Sequence, residues 1–286
     1  MNKVRIVTYN IDGLPDTLNL GDLPWCLKPI AWVYKLFKKT TEVRINDGTN
    51  RAENMNNISE YLNSLNADII AVQEDFNYHN ELMSNLKCYK DSTHTGDISL
   101  DNLFSKTEWR PLPRFKADGL NLITNNRITV NDEDIVRWKR SNGYISHAND
   151  KLTHKGFRYY SITVDNIDID LYILHMDADF YDPNNCPDVS KDVKARKKQI
   201  EQLVEYINKK NSNNPIIITG DTNSTDNYAW DVENIQILLN EGFIEAKPNE
   251  NDVDRLFYKG DINVLNASYG EGGLSDHRPL IVDIEV

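Results

Sequence analysis

Asn10 and Asp12, Glu74, His175 and Asp177, Asp221 and Asn223, and Asp276 with His277 form short polar blocks spread over 286 residues. Each block follows or ends a stretch that reads as a β-strand. Carboxylates and amide oxygens hold hard cations such as Mg²⁺, whereas imidazoles and amide NH₂ groups donate hydrogen bonds to phosphate oxygens. With Asp254 added, the inventory suits metal-assisted attack of water on phosphorus. Strand ends are where a sheet can gather such residues from distant sequence.

Each block also has a plainer reading when taken alone. Asp221 and Asn223 could cap a turn or helix, although Gly220 lets the backbone turn sharply enough to aim both side chains at one point. Glu74 closes the run Ile69-Ile70-Ala71-Val72-Gln73, where an uncompensated carboxylate would be costly to bury and a cation would remove the cost. Asp276 beside His277 can fix the imidazole tautomer and raise its basicity. His79, His94, His147 and His154 lack any such setting and are expected to be surface or structural residues.

Composition narrows the classes. A formal net charge of −12 argues against broad adhesion to nucleic acid. Arg137, Lys139 and Arg140 around Trp138 are the one local basic candidate, with a solvated loop as the alternative. Cys26, Cys88 and Cys186 lack the close pairing of zinc or redox motifs, so disulfide dependence is not expected. No run reaches transmembrane length, and a strand beginning by Val4 leaves no room for a leader. A cytoplasmic monomer is the expectation, or an exported one if a signal peptide has been removed.

The elements that must position these blocks follow from periodicity. Strands are expected at Val4 to Asn10, Asp68 to Gln73, Leu120 to Thr124, Arg158 to Val164, Ile167 to Leu174, Ile216 to Thr219, Arg255 to Tyr258 and Leu280 to Ile284. Helical spacing marks Met55 to Leu65, Val193 to Ile207 with a Lys/Arg-rich outer face, and Val232 to Leu239. Strands and helices are intermixed, yet several strands follow one another directly, as in a mixed sheet or two packed sheets. No linker, repeat or low-complexity run divides the chain, so residues 1–286 read as one domain. Residues 14–50 fit poorly; the Trp- and Lys-containing stretch 23–37 is read as a packed helical insertion, a flap over substrate, or a peripheral membrane contact.

Asn10-x-Asp12-Gly13, Gln73-Glu74, strand-end His175, Gly220-Asp221-x-Asn223, Asp254 in Val-Asp-Arg-Leu-Phe-Tyr, and Ser275-Asp276-His277 resemble, in order, the motifs of the endonuclease/exonuclease/phosphatase superfamily. The resemblance implies a DNase-I-like four-layer α/β/β/α sandwich with two central mixed β-sheets and a divalent-metal site at one edge. It implies Glu74 as principal metal ligand, with Asn10, Asp12 and Asp276 near the metal, which would be Mg²⁺ with Mn²⁺ as a substitute. Asp221 would orient or deprotonate the attacking water, Asn223 would bind phosphate, Asp254 would orient a histidine, and His175 and His277 would stabilise phosphoryl charge. Thr8-Tyr9-Asn10-Ile11-Asp12-Gly13-Leu14 is similar to the 5′-tyrosyl-DNA phosphodiesterase branch, which usually has Trp where Tyr9 stands. Asn149 to Phe157, with Lys155-Gly156, instead resembles the sphingomyelinases and inositol-phosphate phosphatases. Lys155 and Asp177 are thus the substrate-side candidates, and the substrate is a phosphate ester of nucleic acid, phospholipid or inositol. A calcineurin-like phosphatase would need a Gly-Asn-His block that is absent, and a non-catalytic binding module would be expected to lack catalytic groups present here.

Overall fold

The computed structural model describes residues 2–14, 17–19, 35, 42–44, 50–91, 94–96, 117–142, 150, 153–179, 181, 184 and 188–286. Apart from Lys35, the 23–37 stretch, read as a packed insertion, a flap or a membrane contact, lies outside them, as do His147, Cys26 and Cys186. The first half of the described chain contains β1 (Lys3–Asn10), β2 (Thr17–Asn19), β3 (Glu42–Arg44), α1 (Arg51–Ser64), β4 (Ile69–Gln73), α2 (His79–Met83), β5 (Tyr89–Asp91) and β6 (Asn121–Asn125). It continues with β7 (Ile128–Arg137), β8 (Gly156–Val164), β9 (Ile167–His175), α3 (Ser190–Lys210) and β10 (Ile216–Asp221). The remaining elements are α4 (Ala229–Asn240), β11 (Ile244–Glu245), β12 (Asp254–Lys259), β13 (Asn263–Tyr269) and β14 (Leu280–Glu285).

Side chains alternate across a strand, and that alternation sorts the molecule into layers. Ile6, Ile69 and Ala71 share a buried cluster with Leu171, Ile173 and Ile217, which is the core between two sheets. Their strand neighbours Val7, Ile70 and Val72 face the other way and pack on Met55, Ile58 and Leu62 of α1. Tyr172, Leu174 and Ile218 likewise pack on Ile200, Leu203 and Ile207 of α3 and Ile235 and Leu238 of α4. The result is a four-layer α/β/β/α sandwich, as the sequence resemblance implies.

The two six-stranded mixed sheets run β13-β14-β1-β4-β6-β5 and β11-β12-β10-β9-β8-β7, with β2 and β3 forming a separate pair. β1 lies parallel to β4 and β10 parallel to β9, so all four strands deliver their C-terminal ends to their sheets' edges. The register sets Asn10 opposite Gln73 and Asp221 opposite His175. Antiparallel β12 places its first residue, Asp254, opposite Asp221. A bidentate pair from Arg158 of β8 to Asp118, with Nε–Oδ2 at 2.8 Å and Nη2–Oδ1 at 2.7 Å, ties one sheet to the approach to β6 in the other.

Three departures from the expected elements have physical causes. β7 and β13, not foreseen, are edge or near-edge strands whose polar residues suit an exposed ladder rather than a buried one. Trp138 is only 3 % exposed and packs on Phe157, so it is a core residue, while Arg137, Lys139 and Arg140 beside it are exposed. Arg196, assigned to the basic outer face of α3, is fully buried between Asp179 and Asp231.

Gly220 lets β10 pack against β9 at the site. It has φ +138°, and a Cβ there would sit 2.1 Å from the carbonyl oxygen of Leu174. Gly220→Ala should therefore lower unfolding free energy by about 2–4 kcal/mol in urea melts, and lose turnover by shifting Asp221. A parent-like urea midpoint would show that the strands can part at no cost.

Candidate active site

Five strand ends and the turn before β14 deliver one cluster of side chains. Asn10 stands at its centre: its Nδ2 donates to Glu74 Oε1 at 3.2 Å and to Asp221 Oδ2 at 3.1 Å. One amide thus spans the two sheets. Its own carbonyl oxygen accepts the backbone N–H of Asp12 at 3.1 Å, and Ser275 Oγ donates to its main-chain oxygen at 2.8 Å.

Backbone geometry aims the neighbouring groups. Asp12, Glu74 and Asn223 adopt left-handed φ values of 47°, 61° and 47°, which non-glycine residues rarely do. Asp221 Oδ1 accepts the N–H of Asn223 at 2.8 Å, while Asn223 Nδ2 donates to Met176 O at 3.0 Å. The carboxylate and the amide are therefore fixed to each other and to the end of β9.

The two histidines sit in opposite electrostatic settings. His175 is 1 % exposed, with Nε2 at 3.3 Å from Asp221 Oδ2 and 3.8 Å from Glu74 Oε1. Burial, reinforced by Lys155 and His277, pushes its pKa well below the usual imidazole value, so it is neutral. Nδ1 has no hydrogen-bond partner and Nε2 faces carboxylates, which assigns the proton to Nε2. His277 Nδ1 lies 2.6 Å from Asp254 Oδ2, with Nε2 3.8 Å from Asp221 Oδ2. Although burial opposes it, Asp254 and then Asp221 raise its pKa, which favours the imidazolium, while burial also raises the Asp254 carboxyl that shares the proton. Tyr269 Oη fixes Asp254 by donating to its carbonyl oxygen at 2.8 Å.

Lys155 is buried rather than superficial, with its ammonium 2.5 Å from Asp150 Oδ1 and within electrostatic reach of Glu74 and Asp221. Burial raises the Glu74 carboxyl to about 6, against the lowering effects of Lys155 and Asn10; Asp12 and Asp276 raise it further. Asp12 and Asp276 act on Glu74 electrostatically, and carboxylates with an amide oxygen nearby are the donor types that suit a hard divalent cation. Asp12 is partly committed elsewhere, since its Oδ2 pairs with Arg51 Nε at 3.0 Å.

Asp177 departs from its expected role on the substrate side. Fully buried, it accepts the N–H of Asn142 at 2.5 Å and Nε2 of Gln199 at 2.6 Å, while its own N–H donates to Gln199 Oε1 at 3.1 Å. It anchors the segment after His175 instead of facing a ligand. Trp138 Nε1 helps by donating to the His175 carbonyl at 2.8 Å. Sequence reading missed Trp138, Asn142, Gln199 and Arg51. Only Gln199 carried a signal, because it lies one residue before Ile200 on the buried face of α3. His79 and His94, expected to lack a setting, both meet Asp75, at 2.8 and 3.3 Å.

Residues 7–277 match the family model described as "Endonuclease/Exonuclease/phosphatase family". Solved structures share the fold at low identity. An endonuclease/exonuclease/phosphatase from Bacteroides vulgatus has TM-score 0.63 and 15% identity, with 100% of both chains covered. TDP2 of D. rerio, complexed with single strand DNA product, has TM-score 0.61 and 14% identity, again with 100% of both chains covered. A mutant beta toxin from Staphylococcus aureus with bound magnesium ions has TM-score 0.60 and 15% identity, covering 98% of this chain and 99% of that one. No curated protein matches the sequence.

A stability test follows from the Glu74 carboxyl. Its folded pKa of about 6 exceeds the ordinary 4.5, so the folded state binds the proton more tightly. The stabilisation is complete below 4.5 and is lost as pH rises through 6, the reverse of a salt-bridged carboxylate. In chelator, the parent should lose about 1–2 kcal/mol of stability over that interval, and Glu74→Gln should lack this slope. Parallel urea midpoints for the two proteins between pH 4.5 and 7 would refute the assignment.

Proposed function

The chain belongs to the endonuclease/exonuclease/phosphatase family, and from that premise we propose that it is a divalent-metal-dependent phosphoesterase which hydrolyses a phosphodiester by direct attack of water. The observation that carries this reading is the Asn10 amide, shared between Glu74 at 3.2 Å and Asp221 at 3.1 Å. It holds a metal-type carboxylate and a base-type carboxylate side by side. Residues from Asn10 to His277 contribute, so one domain carries one site.

Glu74 is the anchor for Mg²⁺, or Mn²⁺ in its place, with the Asn10 amide oxygen and Asp276 beside it. When bound, such an ion neutralises phosphate charge and acts as a Lewis acid on a phosphoryl oxygen. Asp12 serves through Arg51 and the turn it shapes.

Asp221 takes the proton of the attacking water; Asn10 and the Asn223 N–H hold both its oxygens in place. His277, kept as an imidazolium by Asp254, directs its Nε2 proton to the charge that grows on the phosphoryl group. His175 adds a neutral donor at Nε2, and buried Lys155 adds positive potential without leaving Asp150. Asn223, with one amide hydrogen on Met176 O, offers the other to a phosphate oxygen.

A substrate panel with Mg²⁺ or Mn²⁺ tests this: bis-p-nitrophenyl phosphate, single- and double-stranded DNA, 5′-tyrosyl DNA, sphingomyelin and inositol phosphates. Hydrolysis should vanish in chelator and fall steeply in Glu74→Gln. His175→Ala, His277→Ala and Asp221→Asn should each cost about 10² to 10³ in kcat, with melting near the parent. A histidine variant that keeps its turnover but melts several degrees lower would be a core residue. Activity indifferent to chelator would end the metal assignment.

A further inference from the structure

One residue past Glu74, Asp75 engages a different set of partners. Its Oδ2 lies 2.8 Å from His79 Nδ1 and 3.3 Å from His94 Nδ1, and the three ligand atoms all fall within 4.8 Å of one another. We propose that Asp75, His79 and His94 form a second cation site, for a divalent transition metal of the Zn²⁺ class, separate from the phosphoesterase centre.

Spacing and atom type agree. Metal–ligand bonds of about 2.0–2.1 Å set the ligands of a tetrahedral ion roughly 3.3 Å apart; His94 Nδ1 already stands 3.3 Å from Asp75 Oδ2, and His79 Nδ1, hydrogen-bonded at 2.8 Å, would move out by about half an ångström to admit the ion. Two imidazoles with one carboxylate favour Zn²⁺ and its neighbours, whereas the all-oxygen set around Glu74 favours Mg²⁺. Both rings present Nδ1 to one carboxylate oxygen and stack with centroids 4.1 Å apart, so a single cation can serve all three groups.

The surroundings are those of a supported site. His79 Nε2 lies 2.8 Å from Asp91 Oδ2; without an ion the ring donates from both nitrogens, to Asp75 and Asp91, and a cation would displace the Nδ1 proton while Asp91 keeps the other on Nε2. Carboxylates commonly fix metal-binding histidines from behind in this way. Asn121 Nδ2 steadies Asp75 Oδ2 at 2.9 Å, and Asp75 Oδ1 is buried with no hydrogen-bond partner. Asp75, α2, β5 and the 94–96 segment would all be joined at one point, next to the residue that anchors the catalytic ion.

The test uses Glu74→Gln as background, so that the catalytic centre lacks its anchoring carboxylate. Metal content after equilibration with micromolar Zn²⁺ and gel filtration should be one equivalent per chain. It should fall to none when His79→Ala or His94→Ala is added, and Asp91→Asn should weaken binding by about 10- to 100-fold. Co²⁺ in place of Zn²⁺ should give visible absorption bands that both histidine changes remove. His79→Gln and His94→Gln keep the ring volume more nearly filled, and a cooperative melt for these variants separates lost ligation from lost fold. Zn²⁺ content unchanged by the histidine substitutions, or no retained Zn²⁺ in the background protein, overturns the site and leaves a carboxylate held by two imidazoles alone.

Discussion

The hydrogen bonds of the Asn10 side chain are the constraint on which the site depends. A carboxylate at the end of β4 and another at the end of β10 belong to different sheets, and like charges in a buried setting repel strongly. The Asn10 NH₂ group offers one hydrogen to each, at 3.2 and 3.1 Å, so the sheet edges meet across a neutral donor instead of separating. An aspartate there would add a charge, and a leucine would leave two carboxylates unsatisfied. Ser275 then fixes Asn10 from the far end of the chain, which brings Asp276 and His277 to the same place.

Strained backbone is the second cost of this arrangement. Asp12, Glu74 and Asn223 are left-handed, and a Cβ on Gly13 would lie 2.3 Å from the Glu74 carbonyl oxygen. Packing against α1 and α3 holds these conformations. Arg196 and Gln199 grip Asp177 from α3 at 3.3 Å and 2.6 Å, and Arg51 grips Asp12 from α1 at 3.0 Å. The helices therefore do more than cover apolar faces; they reach past the strand ends and set the angle at which each polar block leaves its sheet.

Much of this was legible in the sequence because the buried strands announce themselves. Ile69 to Val72 and Leu171 to Leu174 are apolar on both faces, as strands between a core and a helix layer must be, and the polar residues that follow them are then conspicuous. Edge strands gave no such signal. β7 carries Asp132, Glu133 and Asp134 on an exposed ladder, and its composition alone cannot distinguish it from a loop. The supporting residues were hidden for another reason. Trp138 acts on His175 from 37 positions away and Arg51 on Asp12 from 39, so neither leaves a local pattern. Asp177 was misread for the same cause: it stands in the right block, but its partners Asn142 and Gln199 come from elsewhere. His79 and His94 were overlooked because Asp75 was eclipsed by Glu74 beside it.

β1 lies between β4 and β14, with Arg5 bonded to Asp283 across 278 positions. During synthesis, β1 can pair with β4 early, but its other edge stays bare until β14 leaves the ribosome. Such a long wait is unfavourable for folding speed and leaves an apolar ladder open to wrong partners. Asn10 and His277 meet only when that last pairing forms, so the cluster at the strand ends cannot be complete before the chain has been made as far as β14.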